Sequence, residues 1–140
     1  MFKTFARRAA IVGLVMACSG LAASADQAPA AGPTVTRTVL NQQDLPTAGY
    51  AAALVRVDLP PGAREGRHRH PGTLIATVVE GVLTLEFEGK PTLTLKPGET
   101  FNVVPGQIHE GMNKGTVPTK LIASFVFPKD QPMTIQVPVK

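Results

Sequence analysis

Three histidines carry the chemistry of this chain, and two of them, His68 and His70, are separated by a single residue. In an extended strand side chains alternate with a period of two, so both imidazoles leave the backbone on one face. Two imidazoles side by side make an incomplete metal site, needing at least one more ligand from elsewhere. His109, the remaining histidine, stands far along the chain in a second stretch punctuated by glycine and proline. One site accounts for all three if the fold carries His109 opposite the pair. A histidine met singly is more often surface or core decoration; three that answer one geometric demand are not.

The elements that must position them are strands. With 140 residues the chain suffices for one domain with a real core. Tryptophan is absent, and 13 glycines with 13 prolines call for many turns. Residues 34–40 (TVTRTVL) read as a first strand from their β-branched content, and 41–46 as a polar turn. Tyr50–Leu59 alternates, with Val55, Val57 and Leu59 on one face and Arg56 and Asp58 on the other. Residues 74–79 form a mostly apolar run, as expected of a strand covered on both sides, and Glu80 belongs to the turn that ends it. Residues 82–88 (VLTLEFE) place Leu83, Leu85 and Phe87 inward and Thr84, Glu86 and Glu88 outward. Gly89-Lys90-Pro91 turns the chain into 92–96, which repeats the pattern through Leu93 and Leu95. Further strands are predicted at 101–104, 121–127 and 133–137. Short strands at near-regular spacing with no helical stretch predict an all-β sandwich or barrel.

The first 25 residues stand apart. Lys3, Arg7 and Arg8 precede an apolar run, AAIVGLVMA, and small residues ending Ala23-Ser24-Ala25 follow. That order of zones is a secretory signal, and the apolar run is short for a membrane span. A mature chain starting at Asp26 with a flexible tether over 26–33 and a single domain over 34–140 is the expected organisation. Periplasmic or secreted localisation follows. Cys18, the only cysteine, rules out an intrachain disulfide and sits in a setting that resembles a lipoprotein box. Cleavage before it would leave a lipid-anchored protein, but Ala-x-Ala is the better match of the two. Without Lys3, Arg7 and Arg8, 11 basic residues face 10 acidic ones. That balance is no nucleic-acid footprint, and no helix-turn-helix is present.

The spacing around the histidines resembles the cupin family. Gly62, five residues, His68-x-His70 and Gly81 follow the first cupin motif, and Gly98, Gly106, His109 and Asn113 follow the second, with Val104 where proline is usual. The resemblance runs from Tyr50 to Phe127 and implies a small double-stranded β-helix, the jelly-roll barrel, with a metal in its mouth. It implies His68, His70 and His109 as metal ligands to a divalent transition metal, Fe, Mn, Ni, Zn or Cu. The motif glutamate is missing: Leu74 or Ile75 stands in its place, and alternation from His70 points Leu74 inward. Glu65, in the loop before the pair, is a candidate substitute, while Glu110 should face away from His109. Arg67 and Arg69 alternate with the histidines and should point outward.

Three neutral imidazoles leave about +2 on a divalent ion, where the four-ligand version leaves about +1. Such a site favours an anionic or bidentate small-molecule substrate and keeps coordination positions open. Three-histidine cupins resembling this chain include thiol and diketone dioxygenases, so an oxidoreductase acting on a small oxygen- or thiol-bearing substrate is the leading reading. No evident general base accompanies the metal, which weakens a hydrolase. The alternative is a non-catalytic cupin that binds a small molecule or a metal. Cupins often pair edge strands, so a homodimer stays open.

Overall fold

Short strands joined by turns make up residues 32–138, the part of the chain that the computed structural model describes. The expectations for the signal segment and Cys18 lie outside these residues. Ten strands follow one another and, among the described residues, no helix: β1 Thr36–Asp44, β2 Tyr50–Leu59, β3 His68–Arg69, β4 Thr73–Glu80, β5 Leu83–Phe87, β6 Leu93–Leu95, β7 Thr100–Val103, β8 His109–Met112, β9 Thr119–Pro128 and β10 Ile135–Gln136. They form two five-stranded sheets, ordered β1-β2-β9-β4-β7 and β10-β3-β8-β5-β6. Every pairing is antiparallel. The architecture is all-β, a double-stranded β-helix.

The core lies between the sheets. β2 contributes Ala51, Ala53, Val55, Val57 and Leu59, and β9 answers with Leu121, Ala123, Phe125 and Phe127. Leu83, Leu85 and Phe87 of β5 close over them from the second sheet, on the inward face that alternation assigned. Burying a large aliphatic side chain of this kind contributes about 1.5–3 kcal/mol.

Three expectations are corrected. The polar turn proposed for 41–46 is strand instead: β1 continues to Asp44 across a bulge between Val39 and Asn41. As an edge strand it is exposed on almost every residue, so polarity there does not mark a turn. β4 is covered on one face only; Leu74, Ala76 and Val78 are buried, while Ile75 and Val79 are more than half exposed. The run of apolar residues therefore conceals an ordinary alternation. Leu93 is exposed, because β6 is a three-residue edge strand whose side chains the opposite sheet does not reach; only Leu95 packs on the core.

Two glycines matter to placement. After His70 the chain crosses from one sheet to the other through Gly72, where a Cβ would collide with the backbone of Val126 and Phe127. Close passage there is what lets His70 and Leu74 line the same space. Gly111 on β8 has the same character, but a side chain occupies its vacancy, as described below.

Candidate metal centre

His68 and His109 face each other directly, as the one registered pair between β3 and β8. His70 lies just beyond β3, its carbonyl fixed by the Gly106 N–H at 2.8 Å. The three rings come together with centroids 4.2–5.0 Å apart, and each residue is no more than 3% exposed. One ligand atom from each lies within 4.8 Å of the others. The fold thus brings together the three histidines singled out by spacing. Among the described residues no other cluster of metal-ligating side chains forms.

Backbone carbonyls decide which nitrogen each ring offers. Nδ1 of His68 donates to Gly66 O at 2.8 Å, Nδ1 of His70 to Met133 O at 2.7 Å, and Nδ1 of His109 to Gln107 O at 3.0 Å. A carbonyl only accepts, so the proton sits on Nδ1 and the lone pair on Nε2 in all three. Burial also holds the rings neutral: it is the main cause that lowers the His68 pKa and brings His70 and His109 down to about 4. Carbonyl-anchored neutral imidazoles are the donor set of a transition-metal site, with no proton to displace at neutral pH. The residues present fit such an ion.

Aromatic contacts hold the cluster from two sides. Phe125 of β9 meets the His70 ring edge-on at 5.1 Å, and Phe87, registered opposite His109, lies 5.8 Å from it. The space beside the rings is a cavity of about 30 Å³ bordered by Leu74, Ala76, Phe101, Ala123 and Phe125. It has room for about two water-sized molecules. Leu74 does point inward and borders the cluster, so no carboxylate comes from the motif position.

The carboxylates sort by strand face. Glu110 points away from His109 and is gripped by Arg64 through two hydrogen bonds of 2.8 Å, which hold its carboxyl below the usual range. Arg67 faces outward, paired with Glu88 at 2.6 Å, and Arg69 is exposed. Glu80, expected in the turn after the strand, is instead the last residue of β4, paired there with Lys120 of β9 in a surface contact of 2.5 Å. Glu65 behaves differently: its side chain turns into the histidine cavity, only 10% exposed, where Arg37 of β1 donates to it at 2.7 Å. Sequence reading missed Arg37 altogether. It sits 28 residues upstream on an exposed edge strand, and nothing in its spacing marks it. Asn113 serves structure, its buried amide donating to Leu59 O at 2.9 Å and Val117 O at 2.8 Å.

Two packed sheets with convergent histidines at one end define a double-stranded β-helix built around a site of metal-binding type. The family model described as the cupin domain matches residues 55–127, and the chain belongs to that family. Germin-like protein 4-1 of Oryza sativa subsp. japonica is 35% identical over 107 residues, 69% of this chain and 41% of the relative. The chain spans less than half the length of the curated relatives it matches. Among solved structures, an uncharacterised conserved protein with a double-stranded β-helix domain from Klebsiella pneumoniae superposes with a TM-score of 0.61 at 25% identity, covering 80% of this chain and 90% of that one. An oxalate oxidase in complex with the substrate analogue glycolate gives a TM-score of 0.61 at 24% identity, covering 77% and 57%, which is a likeness of fold.

Proposed function

We propose that His68, His70 and His109 hold one divalent transition metal through their Nε2 atoms, and that the chain is a metal-dependent oxidoreductase, dioxygenase-like, for a small oxygen- or thiol-bearing substrate. The observation that carries this reading is the set of three Nδ1–H···O=C anchors, which leave three neutral lone pairs converging in one buried place. A bound ion would supply Lewis acidity and open positions at which small oxygen ligands gather. The protein's own part is to orient the rings, keep them unprotonated and limit access. Leu74, Ala76 and Phe125 leave so little space that only a small molecule fits without rearrangement.

Dissociation constants fall out of melting curves here. An ion that binds only the folded chain stabilises it by about 4 kcal/mol at a thousandfold excess over its dissociation constant. Chelator should therefore lower the melting temperature of protein purified without nickel resin, and leave His70→Ala largely unmoved. Equal melts with and without the ion would remove the proposal. Metal analysis of the same preparation names the ion.

A non-catalytic binding role is the second reading, and the small cavity favours it: a site with this little room can retain an ion without turning over a substrate. Oxygen uptake by the metal-loaded protein with small thiols, diketones and hydroxy acids separates the two. The domain plan is likewise proposed: a signal over residues 1–25, a tether over 26–33 and the cupin domain over 34–140. So is a periplasmic or secreted location. Intact mass of the exported chain decides between a start at Asp26 and a lipid-modified Cys18. Homodimer formation, implied by the family resemblance, is tested by light scattering of the purified chain. Among the described residues no helix is long and apolar enough to cross a membrane.

A further inference from the structure

We propose that Glu65 is a conditional fourth ligand of this site, and that Arg37 and the metal compete for its carboxylate. The inference rests on the three-histidine reading above and concerns this chain's own replacement for the motif glutamate that Leu74 displaces.

The strand pattern brings Glu65 there. On β8, His109 and Gly111 are two residues apart and share the inner face, roughly 7 Å from each other along the strand. A Cβ on Gly111 would run into the Glu65 carboxyl, so the glutamate fills the side-chain space that glycine leaves beside His109. The loop is fixed for this purpose. Glu65 N–H donates to Gly111 O at 3.0 Å, Ala63 N–H donates to Pro60 O at 3.0 Å, and the Ala63 carbonyl accepts from Asn113 N–H at 2.9 Å. From that tether the side chain enters the same cavity as the three rings.

Its compensation is thin. Arg37 gives it one short hydrogen bond, 2.7 Å, and is itself 34% exposed. Burial raises the Glu65 carboxyl above its ordinary range in spite of the guanidinium. An anion removed from water and held by one partly solvated cation and a backbone N–H of Gly111 is short of positive charge. A compact dication held by three neutral imidazoles is the strongest positive centre the cavity could contain, and it would lack an anionic ligand. Neither Leu74 nor Glu110 can supply one; the first is apolar and the second is turned to the opposite face under Arg64. Glu65 stands outside the three-histidine cluster, so its carboxylate must leave Arg37 and swing toward the rings to reach the ion. The pair then sets how many positions on the ion stay open, and β1, which carries Arg37, sets how firmly the carboxylate is restrained.

Cobalt(II) titration of the chelator-stripped full chain, read by visible absorption, tests this through a double-mutant cycle. Arg37→Gln should free the carboxylate and tighten Co²⁺ binding by about 10-fold or more; partners of a metal ligand shift affinity on a scale of about 10- to 100-fold, here with the opposite sign because Arg37 holds the carboxylate away from the ion. It should also alter the visible spectrum. Glu65→Gln should weaken binding, and Arg37→Gln made in that background should bring no gain. If Arg37→Gln tightens binding equally in both backgrounds, the effect is loss of a repelling charge and the ligand role is overturned. No change on Arg37→Gln overturns it too. Should the stripped Arg37→Gln variant fail to fold, Arg37→Lys, which keeps the charge but not the planar fork, takes its place with the same pair of outcomes at smaller amplitude. Failure of the underlying reading looks different: the wild type would take up no Co²⁺, or His70→Ala would leave its uptake intact.

Discussion

The two sheets of this barrel are unequal. One is built on strands of 8 to 10 residues, β1, β2, β4 and β9, with β2 and β9 in register over their whole length. The other has strands of 2 to 5 residues, and β3 meets β8 at the single pair His68–His109. Yet the short sheet, with the loops at its end, carries all three histidines and both buried carboxylates. Around β3 the ladders are only one or two pairs long, and discrete ties add to them: three imidazoles on carbonyls, Arg64 on Glu110, Asn113 across the 113–117 turn. The long sheet stabilises the molecule; the short one positions its chemistry with individual contacts.

That division predicts where each kind of substitution is felt. Leu59→Ala, in the long sheet and fully buried, should cost about 2–5 kcal/mol. It should lower the urea midpoint of metal-loaded and stripped protein alike, and leave the affinity of the folded fraction for Co²⁺ within a few-fold. A large loss of affinity would mean that the site depends on the whole core.

Acid should act on the short sheet. Folding lowers the pKa of His70 and His109 from 6.5 to about 4, chiefly by burial. The unfolded chain therefore binds more protons than the native one below pH 6.5, and stability of the stripped protein falls as pH drops from there to about 4. A shift of that size corresponds to about 3 kcal/mol for one imidazole, less than additive for rings this close. Urea midpoints measured across that range should fall steadily. His109→Gln should flatten the slope, and an unchanged slope would count against neutral buried rings.

Much of this was readable in the residues. Alternation in 82–88 and in Tyr50–Leu59 named the core face because those strands are covered on one side only. The histidines were legible because a one-residue spacing has a single geometric meaning in a strand. What escaped reading depended on tertiary placement. β4 looked fully buried because Ile75 and Val79 are apolar, although no layer covers them. Glu65 could be suspected from its loop, but its partner could not, since Arg37 reaches the cavity only because β1 docks beside β2. The tautomers depend on the carbonyls of Gly66, Gln107 and Met133, and backbone carbonyls leave no mark in a sequence.

Leu74→Glu sharpens the comparison at the boundary between the sheets, since Leu74 belongs to the long one and borders the histidines of the short one. With a carboxylate restored at the motif position, Co²⁺ binding should tighten, because an anionic oxygen both coordinates the ion and offsets its charge. The stripped variant should lose about 2 kcal/mol, the cost of burying a polar group without a partner. Weaker binding with a lower melting temperature would mean that a carboxylate at position 74 does not reach the ion, and that Leu74 serves the packing of the barrel.

The smallest effect is expected at Arg64, and it tests whether the short sheet's ties act separately. Arg64 holds Glu110 through two hydrogen bonds, one strand face away from His109, and is itself mostly exposed. Solvent reaches the arginine and, once it is gone, the Glu110 carboxylate beneath it, so Arg64→Ala should cost only about 1 kcal/mol at pH 7. The sign with pH is fixed by the Glu110 carboxyl, which the arginine's hydrogen bonds hold below its ordinary 4.5. A depressed acid contributes stability that is present above its unfolded pKa and is lost as pH falls through the folded one. The wild type and Arg64→Ala should therefore differ at neutral pH and converge in strong acid, in the range below that where the histidines begin to titrate. Metal affinity should not move, because Glu110 and His109 lie on opposite faces of β8. If Arg64→Ala instead weakens Co²⁺ binding more than a few-fold, the ties are coupled through the β8 backbone, and the site must be treated as one cooperative unit.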